Sequence, residues 1–459
     1  MTARLVSIGN SLTQGFGSLA ITNTHQSYPA LIATALGLDL DQQFRQPDFR
    51  GSGGLPCSIE WLARRLQQRF GADFSLFEAG PVVLALGDLL DEVEDYWERG
   101  PGSRPGADVR FHNLAAWGFE VGDAYGITAQ LCADAIAPGT AGAKDNWLKP
   151  PSEARLRSAL AVLNPARSPA RALDTQLAVA KKIAGAEGGI DNLLVCLGGN
   201  NCLKTVVELK IEWTGVQPPG PGSAFTLWRP EAFLAEYRRL EQEVQALGAK
   251  RVYVATIPHV TIPPFARGVM NDRKELPPGR KYFDHYTYFF IGDANFDPDR
   301  DKNLSAAQAE QIDATIDAYN DIVKAAAARN GWHVVDLCHV LDELAVRRNQ
   351  GRPRYPLPEP IKDLSVSLLE YTPGGKIKQG GLISLDGIHP TTCGYGIVAQ
   401  EFIKVMRPFE PTIRDVDFAR LRLSDTLISE PPRTLDDMLG AVRTLERWFH
   451  VTRWMNLSV

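Results

Sequence analysis

Ser11, Asp386 and His389 are residues whose types and spacing could carry acyl transfer. Ser11 lies in Leu5-Val-Ser-Ile-Gly-Asn-Ser-Leu-Thr-Gln-Gly15, where a short apolar run ends at Gly9 and a turn begins. A serine in a strand-to-helix turn points its hydroxyl into the crevice at the sheet edge. Its own N–H, near a helix N-terminus, can face an oxyanion. The same serine could simply cap a helix, a role this residue favours. A nucleophilic serine needs a general base, and the base needs an orienting carboxylate. Ser384-Leu-Asp386-Gly-Ile-His389-Pro390 offers both. Asp386, three residues before the histidine, can fold back to accept from Nδ1–H, which leaves Nε2 free for the Ser11 proton. Short matches of this kind also occur in surface loops.

Acyl transfer also needs donors aimed at the tetrahedral oxyanion. His112-Asn113-Leu-Ala-Ala-Trp-Gly118 can expose an unhindered Gly118 N–H, and Leu197-Gly-Gly-Asn200-Asn201 can donate from the Asn200 amide. Each alone also reads as a tight turn. The elements that must position these groups are short apolar runs at Arg4–Ile8, Val109–Ala115, Asn192–Leu197, Arg251–Ile257 and His333–Leu337. They read as strands covered on both faces. Helical patterns fall at Pro29–Leu36, Glu60–Phe70, Ala170–Ala184, Pro230–Leu247, Ser305–Ala328 and Cys393–Met406, with Ser305 and Gln308 as a capping box. Alternation of this kind predicts a parallel α/β sheet with right-handed crossovers, whose ligand site lies at the carboxyl ends of the strands. Ser11, Gly118 and Asn200 each follow a predicted strand end.

In this order the residues resemble the SGNH hydrolases, also called the GDSL lipase/acylhydrolase family. Gly9-Asn-Ser-Leu-Thr13 is similar to the family's GDS(L) block and Asn113-Leu-Ala-Ala-Trp-Gly118 to its glycine block. Gly198-Gly-Asn200-Asn201 is similar to its GxND block and Asp386-Gly-Ile-His389-Pro390 to its DxxHP block. The resemblance spans residues 4 to 406. It implies a flavodoxin-like three-layer α/β/α fold over residues 1–410, with insertions at about 38–108, 120–190, 205–249, 259–303 and 340–380, and a C-terminal helical extension at 411–459. It also implies ester hydrolysis through an acyl-enzyme, without metal or organic cofactor. Ser11 would be the nucleophile, His389 the base and Asp386 its orienting group. Ser11 N–H, Gly118 N–H and the Asn200 side chain would form the oxyanion hole. Asn10 and Asn201 depart from the family, which usually has Asp at both positions. The GxSxG elbow of α/β-hydrolases is absent. Two other readings stay open: a carbohydrate O-acetylesterase on the same fold, and a non-catalytic binding protein on a degenerate one.

The 459 residues are 44% hydrophobic and 22% charged, with a formal net charge of −5. That suits a soluble globular enzyme and gives no electrostatic reason to expect nucleic acid or an anionic membrane as partner; the small-molecule ester substrate is what the family resemblance implies. No signal peptide or apolar run long enough to span a bilayer is visible, which predicts a cytoplasmic protein. The six cysteines match no zinc spacing and read as buried thiols. Gly15-Phe-Gly17 follows the strand too late for a dinucleotide fingerprint. The run Asp293, Asn295, Asp297, Asp299, Asp301 lacks the glycine and glutamate of a calcium loop and reads as a solvated turn. The aromatic residues Tyr282, Phe283, Tyr286, Tyr288, Phe289 and Phe290 suit either packing or an acyl-chain wall. Beyond Pro411, Thr434 and Asp437 read as the cap of a terminal amphipathic helix carrying Met438, Leu439, Val442, Leu445, Trp448 and Phe449.

Overall fold

The structure is a computed structural model that describes residues 2–22, 24–71, 79–136, 150–220, 224–271, 276–292, 296–345, 349, 353–373 and 376–435. Its centre is a parallel sheet of strands β1 (Val6–Gly9), β2 (Asn192–Cys196), β3 (Arg251–Ala255) and β4 (His333–Val335), adjacent in that order. All three pairings are parallel. Successive side chains on a strand leave opposite faces, and both faces here are apolar. Val6, Ile8, Leu193, Val195, Val252 and Val254 enter one core. Leu5, Leu194, Cys196, Tyr253, Ala255 and Val335 enter another. This is the burial pattern that continuous apolar strands require, each large side chain contributing about 1.5 to 3 kcal/mol.

Helices cover each face. On the first lie α3 (Gln176–Glu187), α5 (Pro230–Ala246) and α6 (Ala306–Asn330), through Leu177, Val179 and Ile183, through Phe233, Tyr237 and Leu240, and through Ile312, Ile316 and Tyr319. On the second lie α2 (Tyr28–Ala35) and α8 (Thr392–Met406), which stack Tyr28 on Phe402. The Ser305 capping box forms, with Gly331 in the left-handed conformation at the other end of α6.

Two expected elements differ. Val109–Ala115 is not a regular strand. It touches the free edge of β1 by a single parallel bridge, Ser7 to Asn113, with Ser7 N donating to His112 O and Leu114 N to Ser7 O. Asn113 turns its side chain onto Ser7 Oγ and Thr13 O, and His112 uses its ring on Arg45 N, so polar side chains there hold the chain locally. The helix expected from Ala170 starts at Gln176 instead. Arg171 is tied to Asp174, Asp108 and the Leu163 carbonyl, and Thr175 caps the helix by accepting from Ala178 N. The described part of the C-terminal segment packs on the core through Phe418, Leu421 and Ile428. Thr434 donates its hydroxyl to Ala63 O, and the terminal helix expected from Asp437 onward lies outside the described residues. Among the described residues no helix is long and apolar enough to cross a membrane.

Candidate active site

The carboxyl ends of the strands open into a cleft with about 1110 Å³ of empty space, part of it continuous with solvent. Ser11 begins α1 (Ser11–Gln14), the single helical turn that follows β1. Asn10 caps this turn by accepting from Leu12 N, at 3.2 Å, through its side-chain oxygen. An amide oxygen serves as well as a carboxylate for that bond, so Asn10 fits the cap. Gly9 lets the turn close, because a Cβ there would meet Thr13 Oγ1 at 2.1 Å. Thr13 and Tyr28, 3.0 Å apart through their hydroxyls, then fix α1 against α2.

The structure brings Ser11, His389 and Asp386 into one chain of contacts. Ser11 Oγ lies 2.8 Å from His389 Nε2, and His389 Nδ1 lies 3.1 Å from Asp386 Oδ2. All three residues are buried, Ser11 at 5%, His389 at 7% and Asp386 at 3% exposure, so little water competes for these bonds. The Asp386 carboxylate also accepts from Ile388 N and His389 N on Oδ1, and from Leu19 N on Oδ2. Burial alone would raise its pKa. The His389 imidazole and these hydrogen bonds outweigh burial and hold the carboxyl below its usual range. The carboxylate therefore stays charged and fixes the ring with Nδ1–H donating.

The Asp386 loop is clamped by a turn that sequence reasoning missed. Ser18 and Leu19 take φ of 53° and 65°, a left-handed conformation that costs a non-glycine residue about 1 to 2 kcal/mol each. The turn directs Ser18 N to Ser384 Oγ, Leu385 N to Ser18 Oγ, and Leu19 N to Asp386. The Phe16 ring lies tilted beside the His389 ring, 4.8 Å between centres, and its carbonyl accepts from the Tyr395 hydroxyl. No residue type announces a backbone N–H, so the sequence held no signal for Leu19.

Asn200 starts α4 (Asn200–Glu208) after β2 and lines the same cleft, with one amide hydrogen donated to Phe119 O at 2.8 Å. The second amide hydrogen is available to a bound oxygen. Gly118 precedes Phe119 and has φ of 73°, which a side chain would disfavour. Its flanks are held on both sides: Trp117 N donates to Gln14 Oε1 of α1, and Phe119 O receives Asn200. Among the described residues Gly118 N makes no hydrogen bond. Asn201 accepts from Val121 N, so its carbonyl oxygen helps set the same loop. Glu120 in that loop is buried, and burial together with Asp123 pushes its carboxyl up to about 7.

The rest of the cleft is mainly aliphatic. Leu12, Leu203, Ile257, Leu341, Leu382 and Ile397 are among its walls. The aromatic run is not: Phe283, Tyr286, Tyr288 and Phe290 pack into the core beside a small antiparallel sheet. Asp297 and Asp301 bind backbone N–H groups of their own turn, while Asp293 and Asn295 lie outside the described residues. All six cysteines are free and buried. Past β3, His259 reaches the cleft wall with Asp342 on Nδ1 at 2.8 Å and Asp317 on Nε2 at 3.3 Å. Burial would lower its pKa, but Asp342, Cys338 and Asp313 outweigh that and raise it to about 10. The strand-end rule that singled out Ser11 and Asn200 also points to His259.

No family model and no curated protein matches this chain. Among solved structures it is similar to an α/β hydrolase enzyme from the metagenome of Lake Arreo, Spain, at 14% identity over 88% of this chain and 94% of that one. The TM-score is 0.29, too low for the likeness to bear on fold or function.

Proposed function

We propose that this protein is a serine hydrolase of the SGNH/GDSL type that cleaves carboxylic esters through an acyl-enzyme. The observation that carries the reading is the 2.8 Å contact between Ser11 Oγ and His389 Nε2, backed by the 3.1 Å contact to Asp386. Support for the family also comes from strand-end placement. Ser11 and Asn200 follow neighbouring parallel strands, and the Gly118 segment runs parallel along the outer edge of β1. Counting that segment as a strand makes the order 2-1-3-4-5, that of flavodoxin-like folds.

In this mechanism His389 Nε2 takes the Ser11 proton as Oγ attacks the ester carbonyl. Asp386 stabilises the imidazolium that forms. The carbonyl oxygen becomes an oxyanion, received by Ser11 N–H, Gly118 N–H and Asn200 Nδ2. His389 protonates the departing alcohol, then activates water to release the acid from Ser11. The aliphatic cleft favours an acyl group with an apolar body over an acetylated sugar, which needs more polar partners than these walls offer. The test is Ser11→Ala. It removes turnover of short p-nitrophenyl esters and labelling by a fluorophosphonate, with an unchanged melting temperature. Near-normal turnover in that variant would rule the proposal out.

A further inference from the structure

We propose that His259, Asp317 and Cys338 form a binding site for a zinc-class divalent cation in the wall of the cleft. The three side chains come from separate elements: the loop after β3, helix α6 and helix α7 (Leu337–Leu344). One ligand atom from each lies within 4.8 Å of the other two. Tetrahedral zinc, with bonds of about 2.0 to 2.3 Å, separates its ligands by about 3.3 to 3.8 Å. Bringing a pair from 4.8 Å to the zinc spacing therefore takes about 1.5 Å of side-chain movement at most. The contact between Asp317 Oδ1 and His259 Nε2 already falls in that range at 3.3 Å, while Cys338 Sγ lies 3.7 Å from the other ring nitrogen, Nδ1, and must swing toward Nε2 to join it.

The donor set decides the class of cation. Imidazole, thiol and carboxylate together suit zinc and its neighbours, whereas magnesium and calcium take oxygen ligands. The surroundings carry the charge that a dication needs. Asp342 touches the His259 ring at 2.8 Å, and Asp313 bonds Thr261 two residues along the same loop. Asp342 also supplies the carboxylate that a ligating imidazole commonly retains on its other nitrogen. Lys324 pairs with Asp336 at 3.0 Å. On binding, the cation displaces the thiol proton of Cys338 and one ring proton of His259, both released to solvent. His259 lines the cleft that Ser11 also lines, while Asp317 and Cys338 lie outside its lining, so the cation would sit in the cleft wall. The site itself does not depend on the hydrolase reading.

The test uses the full chain after dialysis against a chelator, titrated with Co2+ and then Zn2+. Co2+ should bind at one equivalent and give a thiolate charge-transfer band in the near ultraviolet, which Zn2+ then removes by displacement. Cys338→Ser should abolish the band. Asp317→Asn, whose side chain is 63% exposed and tolerates change, should weaken binding by at least about tenfold. Ser11→Ala should bind as the parent does, which separates this site from the catalytic one. Binding below one equivalent, a spectrum without the thiolate band, or folded Cys338→Ser and Asp317→Asn proteins with unchanged affinity would each overturn the proposal.

Discussion

Asp386→Asn is the substitution that separates geometry from charge at this site. The asparagine is nearly isosteric, and its Oδ1 can still accept from Ile388 N and His389 N. Its amide nitrogen then takes the place of Oδ2, between His389 Nδ1 and Leu19 N. An amide donor forces Nδ1 to become the acceptor, so the ring proton moves to Nε2 and points at Ser11 Oγ. A ring in that tautomer cannot take the serine proton. The charge term can be worked from the distance. Unit charges 3.1 Å apart attract by about 5 kcal/mol at an effective dielectric of about 20. Losing that attraction in the transition state lowers kcat/KM about ten-thousandfold. The assay is steady-state hydrolysis of a short p-nitrophenyl ester, alongside circular dichroism to show the fold is kept. A folded Asp386→Asn enzyme within about tenfold of the parent would refute this account of His389, whatever the fate of Ser11→Ala.

Other substitutions probe neighbouring links. Asn200→Ala should lower kcat by about a hundred- to a thousandfold with little change in KM, as loss of one oxyanion donor does. It should also cost about 1 kcal/mol of stability through the lost bond to Phe119, read by urea unfolding. Glu120 gives a pH test. Its folded pKa of about 7 lies above its unfolded value, so its contribution is full below about pH 4.5 and lost as pH rises through 7. Glu120→Gln should therefore gain up to about 3 kcal/mol over the parent at pH 8.5 and almost nothing near pH 4.5. A difference that stays flat with pH would count against a buried, proton-binding Glu120.

The parts of this molecule legible in its sequence are those set by local pattern. Buried strands declare themselves as apolar runs, and the Ser305–Gln308 capping box is a short-range signal for the start of α6. Residues with chemical side chains just past a strand end or in a loop, such as Ser11 and His389, could be singled out by type. What stayed hidden was mostly backbone or long-range. The Leu19 N–H on Asp386 has no side chain to advertise it. His259, Asp317 and Cys338 belong to three segments, and no spacing joins them before the chain folds. Val109–Ala115 misled because its apolar residues suggested a strand, while His112 and Asn113 spend their side chains on local bonds. The aromatic run at 282–290 gave the right burial but left its partner open, since periodicity cannot tell a core from a cleft wall.

The bond between Ser11 and His389 joins residues 378 apart in sequence. The clamp between the Ser18 turn and Ser384–Asp386 spans nearly the same distance. During synthesis the proposed nucleophile thus leaves the ribosome well before its proposed base, which is made 378 residues later. Under the proposed mechanism, a nascent chain that still lacks His389 has a serine with no proton acceptor, so chain order itself would keep incomplete molecules from hydrolysing esters. The same separation makes catalytic competence an indicator of complete folding. Loop closure over this length is slow and entropically costly, so activity should return on refolding only after the sheet and both helical layers have formed.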